Sequence, residues 1–239
     1  MSSWGELTVV APVATGESAA ANALTSPAPT APPTTTTVPE TPPCTVDDQP
    51  AEGDPSADWP SIVVDATYAL PSDFEPPDLV DVSEAGFGTG DLVREIVVAD
   101  LDTLRQAAEA AGNPVSMVSA YRSHTYQAGL FDSEVEQQGQ EEAQRTTARP
   151  GHSEHQLGTA IDLSNADGSP LDETFAASPT ARWLESHAHE FGFVISYPDV
   201  PAERSCYQYE PWHLRYVGHE VAEAIHASGL TLREWLLTH

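Results

Sequence analysis

The sequence predicts an α+β domain in which a small antiparallel sheet is flanked by helices. Stretches with strand character and stretches with helical spacing follow one another irregularly, without a repeated strand–helix–strand unit or a glycine fingerprint for nucleotides. A tract of mainly Pro, Thr, Ser and Ala covers residues 25–43, and this composition buries too little apolar surface to fold. We therefore expect residues 1–58 to be a disordered segment with a Pro/Thr-rich linker, followed by one domain over residues 59–239.

Hydrophobic spacing and capping residues predict the order of elements in the folded part. Residues 59–82 have the composition of extended chain broken by prolines. An apolar stripe at helical spacing predicts a helix over residues 91–111. Ser123 and Ser178 are suited to cap helices. Further helices are thus predicted at 123–139, 141–148, 178–191, 219–228 and 231–237, and strands at 115–120, 159–163, 193–196 and 212–217.

The composition excludes several kinds of partner. The formal net charge is −28, and all nine basic residues are arginines, none of which precedes Arg94. Phosphate recognition requires a basic face, so neither nucleic acid nor an anionic membrane surface is expected as a partner. No apolar run is long enough to predict a transmembrane segment. The sequence contains no signal that specifies an oligomeric state.

The two cysteines give information on the cellular compartment in which the protein works. Cys44 ends the Pro/Thr-rich tract, and Cys206 lies four residues before Glu210. Neither belongs to a CxxC pattern, which argues against a cysteine zinc site. A stalk ahead of a domain is the layout of an exported protein, in which we favour a Cys44–Cys206 disulfide over two free thiols, although sequence does not define the pairing. No export signal is visible, yet this layout predicts a location in the cell envelope or outside the cell.

Two separated motifs contain residues suited to bind a catalytic metal ion. His155 and Asp162 lie in the run SEHQLGTAID, and His213 follows about fifty residues later. Two imidazoles and a carboxylate suit zinc rather than magnesium or calcium, which prefer oxygen ligands. Three protein ligands leave a fourth position open to water, as in catalytic zinc sites. Each residue alone is more often a packed or solvated side chain, so the prediction depends on the set.

Two further residues complete a set that could hydrolyse a peptide bond. Glu210 precedes His213 by three positions and could accept a proton from a zinc-bound water, whose pKa is about 7 instead of about 15.7. Arg122 follows a predicted strand and could stabilise the charge that develops on a carbonyl oxygen. Taken alone, Glu210 would be a solvated turn residue and Arg122 a member of a surface ion pair.

The order and content of these motifs resemble those of the VanY-type D-alanyl-D-alanine carboxypeptidases, zinc peptidases that share a fold with the hedgehog signalling domain. The similarity extends over roughly residues 65–237. The runs that carry it include SAYRS at 119–123, PGHSEHQLGTAID at 150–162 and YEPWHLRYVG at 209–218. Several separated motifs in the same order are far more specific than a single short pattern.

The resemblance implies a hedgehog/D,D-peptidase-like fold and a role for each motif residue. It assigns zinc binding to His155, Asp162 and His213. Glu210 would be the catalytic base, and Arg122 would stabilise the transition state. Ser153 and Gln127 would help to hold the substrate. We also expect His152, three residues before the first ligand, to support the ligands from behind.

The function implied by the resemblance is removal of the C-terminal D-Ala from peptidoglycan stem peptides, by attack of zinc-bound water with Glu210 as general base. The same ligand set also serves L,D-carboxypeptidases and peptidoglycan endopeptidases of this fold, which the motifs do not separate. A non-catalytic zinc-containing binding module is a further alternative. The presence of Glu210 and Arg122 beside a full ligand set argues for catalysis instead.

Overall fold

A computed structural model describes residues 40–239 of the chain, so the predicted disorder of residues 1–39 lies outside the described residues. The strands of the described part are short, and four of them form the central sheet. They are β1 (Gln49–Pro50), β2 (Tyr68–Ala69), β3 (Leu79–Asp81), β4 (Leu92–Arg94), β5 (Val115–Ser119), β6 (Ala160–Asn165), β7 (Phe193–Ile195) and β8 (His213–Tyr216). The central sheet has the order β5–β6–β8–β7, and all its neighbouring strands are antiparallel. The predicted small antiparallel sheet is thereby confirmed.

Helices flank this sheet, as the sequence predicts for an α+β domain. They are α1 (Val98–Ala110), α2 (His124–Gln138), α3 (Gln140–Thr146), α4 (Glu173–Ala176), α5 (Pro179–His187), α6 (His219–Ser228) and α7 (Leu232–Leu236). The Ser123 hydroxyl caps α2 by accepting from the Tyr126 N–H, and the Ser178 hydroxyl caps α5 in the same way. Within residues 40–239, no helix combines the length and the apolar character needed to cross a bilayer.

The core lies between the central sheet and two of the helices. Leu101 and Leu104 of α1 and Leu184 of α5 pack against the sheet and are completely buried. Residues Ala160 to Ser164 of β6 are also buried, as is all of β8. Strands that are buried on both faces hold their side chains in fixed positions, so β6 and β8 provide a rigid base for any site built on them.

The chain joins the folded domain earlier than the expected boundary at residue 59. Cys44 forms a disulfide with Cys206, as favoured from the layout of the sequence. The Arg149 Nη1 atom lies 2.6 Å from a carboxylate oxygen of Asp48, and β1 pairs in parallel with β2. The segment from Cys44 to residue 58 is therefore part of the domain and not of a linker.

The helix predicted over residues 91–111 is wrong in its first third. Leu92–Arg94 form β4, which pairs with β3, and a short 3-10 turn separates it from the start of α1 at Val98. The Arg94 N–H donates to the Gly158 carbonyl at 2.9 Å, and its side chain lies 2.8 Å from Asp78. These long-range hydrogen bonds outweigh a local helical pattern that would bury the same apolar side chains.

Removing the disulfide by the paired change Cys44→Ser and Cys206→Ser is expected to lower the free energy of unfolding by about 2–5 kcal/mol. The crosslink joins residues separated by 162 positions, so it restricts the unfolded chain strongly. Thermal unfolding should show a fall in Tm of about 5–15 °C. A thiol reductant should produce the same fall in the wild type and none in the double variant. Equal Tm values for oxidised wild type and double variant would contradict the prediction.

Candidate metal centre and active site

Three side chains from separate segments converge on one point at the end of the central sheet. They are His155, Asp162 and His213, and one ligand atom of each lies within 4.8 Å of the others. The Nε2 atom of His155 is 3.2 Å from one oxygen of Asp162, and Nδ1 of His213 is 3.1 Å from the other. Among the residues that the structure describes, this is the one group of three or more His, Cys, Asp or Glu residues close enough to share a metal ion.

The backbone explains how these groups meet. Asp162 and His213 are directly opposite each other in the β6–β8 pair, so their side chains project from the same face of the sheet. His155 lies in a 3-10 helix, Glu154–Leu157, that ends at Gly158 with φ at +70°. A Cβ atom at Gly158 would come within 3.0 Å of the Arg94 side chain. Glycine is required here for both conformation and space, and it turns the chain from His155 into β6.

The environment of His155 fits a metal ligand. Its Nδ1–H donates to the Ala120 carbonyl at 2.6 Å, which fixes the tautomer and leaves the Nε2 lone pair free. That Nε2 atom is buried and has no hydrogen-bond partner. Burial, assisted by the nearby Arg122 charge, lowers the pKa of His155 to about 4, so the imidazole is neutral. A buried lone pair that faces the Asp162 carboxylate is unfavourable without a cation between them.

His213 lies between two carboxylates. Its Nδ1 faces Asp162, and its Nε2 lies 3.0 Å from Glu154. Burial alone would lower the pKa of His213, but the hydrogen bonds with Asp162 and Glu154 outweigh it and raise the pKa to about 10. Burial likewise opposes ionisation of Asp162, yet the two imidazoles hold its pKa well below the usual range. The site therefore favours positive charge at this point, which either a proton or a metal cation could supply.

Glu210 and His213 are held on either side of a tight turn. The His213 N–H donates to the Glu210 carbonyl at 3.1 Å, and Pro211 occupies the second position of that turn, where its fixed φ is favoured. The Glu210 N–H is anchored to the Tyr197 carbonyl at 2.9 Å. Burial raises the pKa of the Glu210 carboxyl to about 7, against the opposing effect of His213. A carboxyl with a pKa near neutrality can both accept and return a proton.

A cavity of about 190 Å³ opens beside the three converging side chains, and Arg122, Gln127, Ser153 and Trp212 are among the residues that line it. The Gln127 side-chain N–H donates to the Ala148 carbonyl at 2.7 Å. The side-chain carbonyl oxygen of Gln127 is buried and has no hydrogen-bond partner. The same holds for Nε of Arg122. Besides His155 Nε2, residues that line the cavity thus carry one unpaired acceptor and one unpaired donor, which suits a polar substrate. The seven residues predicted as metal ligands, base, oxyanion donor or substrate contacts all line this cavity.

His152 is an exception to the sequence predictions. It does not contact the converging side chains: its Nδ1 lies 2.7 Å from the Asp65 carbonyl, and its Nε2 lies 3.0 Å from the Asp48 carboxylate. Its expected role behind the metal ligands is therefore wrong. The residue instead fastens the segment around Asp48 to the loop that precedes His155.

Two residues that the sequence analysis did not single out support His213. Glu154 accepts from His213 through one oxygen, and its other oxygen accepts from Arg215 at 2.9 Å. Burial raises the pKa of Glu154, but Arg215 and then His213 outweigh it and lower the pKa to about 2. Their positions in the sequence could have pointed to them. Glu154 directly precedes His155, and Arg215 follows His213 by two residues on the same strand.

Comparison with known proteins finds carboxypeptidases among the relatives of this chain. The family model "VanY: D-alanyl-D-alanine carboxypeptidase" matches residues 90–219. The putative carboxypeptidase YodJ of Bacillus subtilis is 38% identical over 179 residues, covering 72% of this chain and 65% of the relative. A D-alanyl-D-alanine carboxypeptidase of Enterococcus faecalis is 34% identical, covering 76% of this chain and 67% of the relative. The chain thus spans about two thirds of the length of these relatives.

Solved structures show the same relationship. The LdcB LD-carboxypeptidase is 39% identical with a TM-score of 0.66, covering 72% of this chain and 83% of that chain. The vancomycin resistance D,D-pentapeptidase VanY, solved in complex with Zn(II), is 30% identical with a TM-score of 0.65, covering 74% of this chain and 99% of that chain. The fold is therefore similar to that of peptidases of the carboxypeptidase class. The chain belongs to the VanY family of D-alanyl-D-alanine carboxypeptidases.

Proposed function

We propose that this protein is a zinc-dependent D,D-carboxypeptidase that removes the C-terminal D-Ala from peptidoglycan stem peptides in the cell envelope or outside the cell. The observation that carries this proposal is the convergence of two imidazoles and a carboxylate beside Glu210 at the cavity. The family supports the substrate class, since its description names D-alanyl-D-alanine. A cavity lined by polar groups on a rigid sheet also suits a small charged peptide end.

The proposed zinc ligands are His155, Asp162 and His213. The unpartnered Nε2 of His155 supports this assignment, as does the match of a nitrogen-rich donor set to zinc. Three protein ligands leave a position for water or substrate. When bound, zinc would supply a Lewis acid that polarises the scissile carbonyl and makes water acidic enough to react near neutral pH. The supporting zinc complex is that of the VanY D,D-pentapeptidase.

Glu210 is proposed to carry the proton. It takes a proton from the attacking water as the new C–O bond forms, and it gives that proton to the leaving amine as the C–N bond breaks. Burial raises the pKa of its carboxyl above the usual range, which makes it a stronger proton acceptor for this step. The turn through Pro211 limits its movement relative to His213, so the carboxylate stays directed toward the same point.

Arg122 is proposed to stabilise the developing oxyanion, and Gln127 and Ser153 to hold the substrate. The Arg122 N–H donates to the His155 carbonyl at 3.3 Å, which ties the residue to a proposed ligand. Its buried, unpaired Nε is a donor available to a bound oxygen. The unpaired Gln127 carbonyl is an acceptor available to a substrate N–H, and the Ser153 side chain lines the same cavity.

An L,D-carboxypeptidase is a second candidate, because the LD-carboxypeptidase LdcB shares 39% identity with this chain and the D,D-pentapeptidase VanY shares 30%. Both activities release a terminal D-Ala with the same ligand set, and they differ in the residue that precedes it. A D,D-enzyme shortens a pentapeptide stem to a tetrapeptide, whereas an L,D-enzyme shortens a tetrapeptide to a tripeptide.

Mass spectrometry of the products from defined stem peptides tests the proposal. The zinc-loaded protein is incubated separately with pentapeptide stems, tetrapeptide stems and crosslinked stem peptides. Loss of one alanine from the pentapeptide alone is expected for the D,D-carboxypeptidase. Loss from the tetrapeptide alone would establish the L,D-alternative. Cleavage only within crosslinked peptides would identify an endopeptidase, and no cleavage of any of these substrates would remove the proposed function.

The rate of hydrolysis is expected to fall in acid. Glu210 must be unprotonated to accept a proton, and it becomes protonated as the pH drops through its pKa of about 7. A cation bound by the neighbouring ligands would lower that pKa, so the rate should begin to fall at a pH below 7. This falling part is the acid limb of the pH profile. A profile of kcat/KM against pH should decline about tenfold per unit below this limb. A plateau that continues down to about pH 4 would exclude a base of this kind.

A further inference from the structure

We propose that Glu154 is a positioning residue for the metal site: it fixes the ring of His213 so that only Nδ1 faces the metal. This inference rests on the proposed zinc-dependent function and extends it to a residue outside the ligand set. It is based on three buried contacts that converge on the Glu154 carboxylate, from His213, Ser196 and Arg215.

The two nitrogens of His213 have different partners. Nδ1 lies 3.1 Å from Asp162, and Nε2 lies 3.0 Å from Glu154. A metal ion shared with Asp162 can therefore reach only Nδ1. The Nε2 atom must then carry the hydrogen, which it donates to Glu154. A carboxylate that accepts from the far side of a ligating imidazole fixes its tautomer and orientation and makes the ligating nitrogen a better donor to the metal.

Other contacts hold the Glu154 carboxylate in place. The Ser196 hydroxyl donates at 2.6 Å to the same oxygen that accepts from His213, and Arg215 donates at 2.9 Å to the other oxygen. The side chain of Glu154 is only 4% exposed and that of Arg215 is fully buried. Both oxygens thus have partners, and the buried negative charge is compensated.

Arg215 is itself fixed from two directions. It lies two residues after His213 on β8, so both side chains project from the same face of the strand toward Glu154. Its second terminal nitrogen donates to the carbonyls of Trp59 and Ile62 at 2.7 and 2.8 Å. The chain of contacts therefore runs from the backbone at residues 59–62 through Arg215 and Glu154 to the imidazole.

The change Glu154→Gln tests this role, with Asp65→Asn as a matched control. Asp65 is also a buried carboxylate paired with a buried arginine, Arg233, at 2.7 Å, but it makes no contact with the metal site. We expect Glu154→Gln to weaken zinc binding about 10- to 100-fold in competition with a chelator. It should also change the visible absorption of the cobalt(II)-substituted protein. Asp65→Asn should leave both unchanged, although both variants lose a buried charge.

A second variant keeps the test decisive if Glu154→Gln does not fold. Ser196→Ala removes one hydrogen bond from Glu154 without removing a buried charge, and it should weaken zinc binding by a smaller factor of about 3-fold. Zinc affinities within about twofold of wild type in a folded Glu154→Gln protein, or in Ser196→Ala if that protein alone folds, would overturn the positioning role. Equal losses in Glu154→Gln and Asp65→Asn would do the same.

These outcomes are separable from failure of the proposed function. Zinc affinity and the cobalt spectrum are measured without any peptide substrate. If wild type binds zinc and hydrolyses the stem peptide while Glu154→Gln binds zinc equally well, only the positioning role is lost. If wild type binds no zinc, the proposed zinc-dependent function itself fails, and the inference fails with it.

Discussion

Glu210→Gln is expected to lower kcat for stem-peptide hydrolysis by about 10³-fold while the protein retains its zinc. Glutamine has nearly the same shape as glutamate but cannot accept a proton from water. The carboxylate makes no side-chain hydrogen bond to the three converging residues, which pair instead with one another, with Ala120 and with Glu154. Metal analysis and steady-state kinetics on the same preparation measure the two quantities separately.

The matched control is Glu203→Gln, which neutralises an exposed carboxylate in the same loop, seven residues earlier. This variant should keep wild-type kcat and zinc content. Burying the negative charge of Glu210 costs free energy, and glutamine carries no charge. The free energy of unfolding of Glu210→Gln should therefore be no lower than that of wild type. Wild-type turnover in zinc-loaded Glu210→Gln would exclude Glu210 as the base, whatever its zinc content.

His155→Ala should abolish activity for a different reason, namely loss of the metal. Structural zinc sites with four protein ligands bind zinc with about 10–16 kcal/mol, so one protein ligand accounts for about 2.5–4 kcal/mol. Loss of one ligand then weakens binding by about 10²- to 10³-fold. The Nε2 atom of His155 has no hydrogen-bond partner in the protein, so the change breaks no hydrogen bond at that nitrogen. Zinc per chain after dialysis against a weak chelator should fall close to zero.

The control for this experiment is His219→Ala. The His219 side chain is 57% exposed and lies 3.1 Å from Asp100, at the start of α6 and away from the cavity. Its removal should leave zinc content and kcat at wild-type values. Retention of one tightly bound zinc by His155→Ala would show that the metal binds elsewhere, and the assignment of the three ligands would have to be abandoned.

The sequence was sufficient to predict the fold class and the grouping of the site. His155, Asp162 and His213 are separated by up to 58 residues, so their spacing alone could not define their contact. Their occurrence within ordered motifs that resemble a known family predicted it. Local patterns predicted α2 and α5 as well, because Ser123 and Ser178 are caps whose effect depends only on the next few residues.

Features that depend on distant partners could not be predicted. The segment Leu92–Arg94 has helical periodicity, but its strand conformation is set by pairing with β3 and by the Gly158 carbonyl. The pairing of Glu154 with Arg215 crosses 61 positions and became visible only once β8 lay beside the 3-10 helix. His152 illustrates the converse error, since closeness in sequence to His155 suggested a shared role that its contacts with Asp65 and Asp48 contradict.

The bonds from Arg215 to the carbonyls of Trp59 and Ile62 limit how far the protein can be shortened. A version starting at residue 65 would keep both motifs intact, yet a buried guanidinium would lose two acceptors, at about 1–3 kcal/mol each. Fusing residues 65–239 to another protein would leave Arg215 without the same two acceptors. Any shortened form of the protein therefore needs the segment from Cys44 onward, because this segment also provides one half of the disulfide with Cys206.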